Sequence, residues 1–137
     1  MKADLVIWTL NGEATITRCP DSIEMAVPAS VICHRYLIDG SSVDATRDIA
    51  KRFGWTVAIA RRRGIPFQAY QALRLVDTPV FASFEQDVGL NPAWFSALMP
   101  RLVSQPASSR PGFTQLITTC IGQRLSGLSG VFLRIFR

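Results

Sequence analysis

The apolar positions in the first hundred residues follow two rhythms that trade places along the chain. Leu5-Val6-Ile7-Trp8-Thr9 is an unbroken β-rich run, the pattern of a strand covered on both faces. Asn11-Gly12-Glu13 ends it, with Asn11 placed to cap a helix through Ile16 and Ile23 that Pro20 is expected to break or kink. Pro28 closes that region, and Arg35 to Ile38 forms a second strand ending on Asp39-Gly40. Ser41 to Thr46 then supplies hydroxyl caps and an early carboxylate. Ala45, Ile49 and Phe53 fall on one helical face, and Gly54 stops the helix. Trp55 to Ile59 reads as a third strand and Arg61-Arg62-Arg63-Gly64 as a turn. Pro66 starts a helix with Ala69, Leu73 and Val76 facing inward. Val80 to Phe84 is the fourth strand, and Asn91-Pro92 opens a helix carrying Phe95, Leu98, Met99 and Leu102.

Strands alternating with helices at these spacings predict an α/β fold: an open, mainly parallel, Rossmann-like sheet with helices on both faces. Ligands of such sheets bind beyond the carboxyl ends of the strands. Thr9 to Glu13, Asp39 and Glu85 to Asp87 all fall at such ends. The pattern fades after Gln105. Pro106 to Gly112 is linker-like, and Phe113 to Arg137 shows no clean helical or strand period. The expectation is one domain over residues 1–104, cut short after the acidic pair Glu85 and Asp87. Residues 105–137 would be an unassigned basic tail, disordered or non-native.

Charge refines this picture. The net charge is +5, but residues 1–87 balance ten basic against ten acidic side chains, while residues 88–137 hold five arginines and no acid. The basicity belongs to the C-terminal part rather than to a face of the domain, which argues against a nucleic-acid partner. Arginines interleaved with Leu, Val, Ile and Phe after residue 124 make membrane-surface association the weaker alternative for the tail. No apolar stretch nears the ~18 residues of a membrane span, and no signal-peptide pattern is visible, so a cytoplasmic location is expected. Cys19, Cys33 and Cys120 form no C-x-x-C pair and read as buried or idle thiols. His34, the single histidine, precedes a strand and reads as structural. Without a G-x-S-x-G elbow beside it, Ser-His-Asp hydrolysis has no support.

The most informative chemistry is the pair Glu85 and Asp87 at the mouth of the fourth strand. A strand period of two would point both carboxylates the same way, where they repel unless a cation sits between them. Oxygen donors suit Mg2+ or Mn2+, which complete their shells with water and phosphate oxygens. That suggests a nucleotide-diphosphate site rather than a proton-transfer pair; the bland reading is a solvated acidic strand end. Asp44 reads as a helix N-terminal charge, Arg61 to Arg63 as a solvated turn, and Gly54 and Gly64 as turn residues.

With these residues in place, residues 4–104 resemble the N-terminal half of a family-2 glycosyltransferase of the GT-A type. Trp8-Thr9-Leu10-Asn11-Gly12-Glu13 is similar to the family's T-Y-N-x-E turn, with Leu10 in place of the tyrosine. Asp39-Gly40-Ser41-Ser42-Val43-Asp44-Ala45-Thr46 follows D-[DG]-G-S-x-D-x-T with Ser41 replacing a glycine. Glu85-Gln86-Asp87, with Pro92 beyond it, stands where the family has D-x-D. The family's Gly-x-x-x-Ala-Arg-Asn element begins here at Gly64 but lacks the arginine and asparagine, so a phosphate contact there would fall to Arg62 or Arg63.

The resemblance implies metal-dependent transfer of a sugar from a nucleotide-diphosphate donor to a glycan, lipid or protein acceptor, with Mg2+ or Mn2+. Carried over, Thr9, Leu10, Asn11, Glu13, Asp39 and Gly64 contact the donor. Asp87 is the main metal ligand, and Glu85 is the outer acidic member near the ribose and diphosphate. Residues 105–137 contain no Asp, Glu or His to serve as a base. The alternative is therefore a non-catalytic nucleotide-sugar-binding remnant lacking the acceptor half.

Overall fold

The computed structural model describes residues 2–78, 80–104, 115–118, 122–123 and 131–135, with side chains described through residue 99. Its elements run β1 (Ala3–Thr9), α1 (Arg18–Ala26), β2 (Ile32–Asp39), α2 (Thr46–Arg52), β3 (Thr56–Ile59) and α3 (Ile65–Leu73). They continue with β4 (Val80–Glu85), β5 (Gly89–Leu90), α4 (Trp94–Ser104), β6 (Gln115–Thr118), β7 (Gly122–Gln123) and β8 (Val131–Ile135). One sheet has the order β3-β2-β1-β4-β8-β6, and β5 pairs with β7 in a second. The pairs β1–β2, β1–β4 and β2–β3 are parallel, whereas β8 is antiparallel to both β4 and β6.

Successive residues of the parallel strands feed two cores, as strand geometry requires. Leu5, Ile7, Leu37, Ala82 and Phe84 join Cys19, Ile23, Ala50, Trp94 and Leu98 on one face, so α1, α2 and α4 cover that side. Val6, Ile38 and Phe81 join Ala60 and Ala72 on the other, under α3. The chain steps outward from β1 to β2 to β3 with helices on the first face. It then returns to β4 with α3 on the second, as crossovers of a single hand demand when the direction reverses. That reversal makes the gap between the carboxyl ends of β1 and β4 a topological switch point.

Several expectations need correction. Pro20 neither breaks nor kinks α1, because it lies in the first turn, where its missing N–H would have no helical partner. The inward residues of α3 are Gln68 and Ala72; Leu73 is exposed and Ala69 half-buried. A polar partner, not apolar spacing, sets that face. In α2 the fully buried residues are Thr46 and Ala50, with Ile49 and Phe53 packed at the core's edge. Gly54 ends α2 at φ +74°, a left-handed conformation that favours glycine. Three short strands lie where residues 113–137 offered no period, and two of them, β8 and β6, extend the main sheet; two to five residues are too few for a period of two to stand out.

Candidate functional site

The register brings three strand ends level at one edge: Thr9 lies beside Asp39 across β1–β2, and Trp8 beside Glu85 across β1–β4. Asp39 also pairs with Ile59, and its carbonyl accepts the Ala60 N–H at 2.8 Å. The loops after β1, β2, β3 and β4 therefore leave from one rim, and the carboxylates at the ends of β2 and β4 share it.

Two of these loops are fastened to each other through side chains. Asn11, at φ +48°, donates its N–H to Ser42 Oγ (2.8 Å), and its Oδ1 accepts the Val43 N–H (3.0 Å). Gly12 N–H reaches Thr46 Oγ1 at 2.8 Å. Glu13 N–H donates to Asp44 Oδ2 (3.1 Å), while Glu13 Oε2 accepts the Ala45 N–H (3.1 Å). Asp44 also accepts from the Thr46 N–H and hydroxyl, and the Thr46 hydroxyl is the leading reason its carboxyl is held below the usual aspartate range. Thus Asn11 and Glu13, expected as donor contacts, both have side-chain atoms committed to the latch.

Asp39 is fully buried. Its carboxylate accepts the Ser42 N–H (2.9 Å) and the Ser42 hydroxyl, with Arg47 Nε 3.8 Å away. The charge is thereby held inside the turn that carries Ser41 at φ +75°. Thr9 is buried too: its carbonyl accepts from Gly40 N–H and Gln68 Nε2, both at 2.8 Å. Leu10 is exposed. Gly64 caps α3 at φ +115° on an exposed turn behind Arg61 to Arg63, and Arg62 lies over the Phe67 ring, 5.7 Å from its centroid.

At the end of β4 the strand stops at Glu85, and the chain turns with Val88 N–H bonded to the Glu85 carbonyl (3.1 Å). The pleat therefore does not set the direction of Asp87, which belongs to the turn; this corrects the expectation of two carboxylates aligned by strand period. Glu85 and Asp87 are both half-buried. Beneath them the Cys19 thiol contacts the Glu85 carbonyl (3.5 Å). Burial, reinforced by the negative charge of Asp87, pushes that thiol's pKa far up.

Two glutamines tie the rim together. Gln86 Oε1 accepts the Thr9 hydroxyl (2.6 Å) and the Leu10 N–H (2.9 Å), bridging the gap between β1 and β4. Gln68 is buried and donates from Nε2 to the carbonyls of Thr9 and Ile38, at 2.8 Å each. Sequence reasoning passed over both. Gln86 occupies the middle of the acidic motif, where attention falls on its neighbours. Gln68 is an amide four residues past Gly64 in a helix otherwise read by its apolar positions.

The donor set at the end of β4 can be weighed against a metal. Among the described residues, Glu85 and Asp87 belong to no compact group of three His, Cys, Asp or Glu donors. Two carboxylates fit a hard cation that keeps its remaining positions for water and phosphate oxygens, and they fit a zinc site poorly. Arginines beyond β3 and carboxylates beyond β4 give the rim charges of both signs. No helix among the described residues is long and apolar enough to cross a membrane.

No family model matches the sequence, and no curated protein matches it. Solved structures do match. Glucosyl-3-phosphoglycerate synthase from Mycobacterium tuberculosis, in complex with Mn2+, UDP and glucosyl-3-phosphoglycerate, superposes with a TM-score of 0.65 at 22% identity over 75% of this chain and 40% of that one. A mannosyltransferase from Pyrobaculum calidifontis with GDP-Man and Mn2+ gives 0.67 at 17% identity, over 80% of this chain and 36% of its own. S. aureus TarS with UDP-GlcNAc gives 0.66 at 15% identity, over 85% and 39%. The chain spans about two fifths of the length of these structures. Its fold is that of the GT-A-type glycosyltransferases.

Proposed function

We propose, starting from a GT-A glycosyltransferase fold, that this chain binds a nucleotide-diphosphate sugar at the rim of β1, β2 and β4 and serves metal-dependent transfer of that sugar to an acceptor. The observation that carries this reading is the meeting of the latched loops 10–13 and 42–46 with the Glu85–Asp87 turn at one sheet edge, joined by Gln86. Similar folds in complex with Mn2+ and UDP, or with GDP-Man and Mn2+, support the ligand class.

Asp87 would hold Mg2+ or Mn2+, with Glu85 as the outer carboxylate beside it. When bound, such an ion offsets the charge that builds on the departing diphosphate. The latch and the buried turn at Asp39 keep the base-side wall of the site in one shape, so little ordering is left for the ligand to impose. Exposed Leu10 presents an apolar surface on that wall where a base would lie, and Arg62 or Arg63 would meet the far end of the phosphate chain. Residues 1–104 would form this donor-binding unit.

A second reading is donor binding without transfer by these residues, which span about two fifths of the length of the structures they match. Calorimetric titration with UDP- and GDP-sugars, with and without Mn2+, tests both. Mn2+-dependent binding that Asp87→Ala abolishes while the circular dichroism spectrum is unchanged is the expected result. Donor hydrolysis in the same sample separates transfer from binding alone, and normal binding by Asp87→Ala would refute the site.

A further inference from the structure

At the opposite edge of the sheet, where the strands begin, β1 and β2 fall out of step. Ala3 pairs with Ile32 but Leu5 pairs with Arg35, so Cys33 and His34 together oppose the single residue Asp4. In a regular strand two adjacent side chains point to opposite faces; a bulge re-aims one of them. Here the result is that donor atoms of Asp4, Cys33 and His34 all lie within 4.8 Å of one another.

Asp4 is an unusual residue to find in that place. It is fully buried near the start of an apolar strand. Its Oδ2 is pinned by the N–H groups of Asp77 (2.7 Å) and Thr78 (3.2 Å), and its own N–H by Thr78 Oγ1 (2.9 Å). Oδ1 is turned to His34 Nδ1 at 2.9 Å, and the imidazole stacks at a tilt on Tyr36, 5.7 Å between centroids. A carboxylate fixed by outer hydrogen bonds, with one oxygen aimed at an imidazole and a thiol, is an orientation metal sites use. Cys33 and His34 are exposed, so the group opens to solvent, leaving room for water in a fourth position.

We propose that Asp4, Cys33 and His34 bind a thiophilic divalent cation, with Zn2+ the best match. One sulfur, one nitrogen and one oxygen donor suit zinc in a tetrahedral arrangement completed by water, and they suit Mg2+ or Mn2+ poorly. Binding releases the Cys33 thiol proton to solvent, while His34 binds as neutral imidazole through Nδ1 with its hydrogen carried on Nε2. The site is separate from the carboxyl rim by the seven-residue length of β1, about 20 Å. It does not depend on the sugar-donor reading.

The test uses the untagged full chain under reducing, oxygen-free conditions with Co2+ as the probe. One thiolate-bound Co2+ per chain is expected, read from a thiolate-to-cobalt charge-transfer band that added Zn2+ abolishes. Cys33→Ala should remove the band and His34→Ala should weaken binding at least about tenfold; Cys33 is exposed, and an unchanged circular dichroism spectrum checks that His34→Ala, which takes a partner from buried Asp4, is folded. Asp87→Ala should leave the band intact. A band surviving Cys33→Ala would assign it to Cys19 or Cys120 and overturn the proposal, as would the absence of any band or its loss in Asp87→Ala.

Discussion

Replacing Gln68 isolates what holds the rim of the sheet in register. Its amide nitrogen donates to the carbonyls of Thr9 and Ile38, the last turns of the chain before β1 and β2 release their loops. Each bond contributes about 1 kcal/mol net. Thr9 keeps the Gly40 N–H as a second donor and the Ile38 carbonyl keeps its place in the β1–β2 ladder, so Gln68→Ala removes one bond from each rather than orphaning either. Alanine regains a few tenths of a kcal/mol in helix propensity. The expected loss is about 2 kcal/mol, near 1 M in urea midpoint for a domain of this size, with the slope of the transition unchanged.

Gln68→Glu sharpens the test, because shape is kept while a donor is removed. A carboxylate facing two carbonyls in a buried position favours its protonated form, so the folded pKa rises above the unfolded value of about 4.3. The stabilising contribution of the neutral acid is therefore complete below that unfolded value. It is lost as pH rises through the folded pKa, beyond which the variant stays at its least stable. Urea midpoints at several pH values, each compared with the parent protein, read this directly. If Gln68→Glu matched Gln68→Ala at neutral pH with no pH trend, the amide would not be clamped between those carbonyls.

Gly12→Ala should cost about 1–3 kcal/mol, because the added Cβ would overlap the Gln86 amide and sit 2.9 Å from Thr9 Oγ1; calorimetric melting checks it. Asp44 is held in its ionised form by the Thr46 hydroxyl, so its contribution is present above the unfolded pKa and lost as pH falls through the lower folded value. Asp44→Asn should accordingly flatten the acid limb of the stability–pH curve, and an unchanged limb would refute that assignment. In the native protein, exposed Cys33 should react promptly with a thiol reagent, whereas buried Cys19 should react only on unfolding; mass spectrometry of labelled peptides distinguishes them.

The sequence was most legible where apolar side chains decide the outcome. Leu5 to Thr9 and Val80 to Phe84 are buried runs, and both were readable as central strands. It was least legible where a polar side chain does structural work at long range. Nothing local marks Gln68 as inward-facing, because its partners lie 59 and 30 residues away. The motif residues Asn11, Glu13 and Asp44 stand out in sequence as ligand-type side chains. Their spacing does not reveal that they grip one another's loops across about thirty residues. Asp4 and His34 were invisible as a pair for a further reason: only the extra residue in β2 turns them together.

The latch between residues 10–13 and 42–46 also constrains how this protein can change. Every one of its bonds joins a side chain of one segment to the backbone of the other, in both directions. Neither segment keeps its shape if swapped alone, so a graft from a relative with different ligand preference would have to transplant both together. The two segments are one heritable unit, and substitutions within them should be tolerated in matched sets rather than singly.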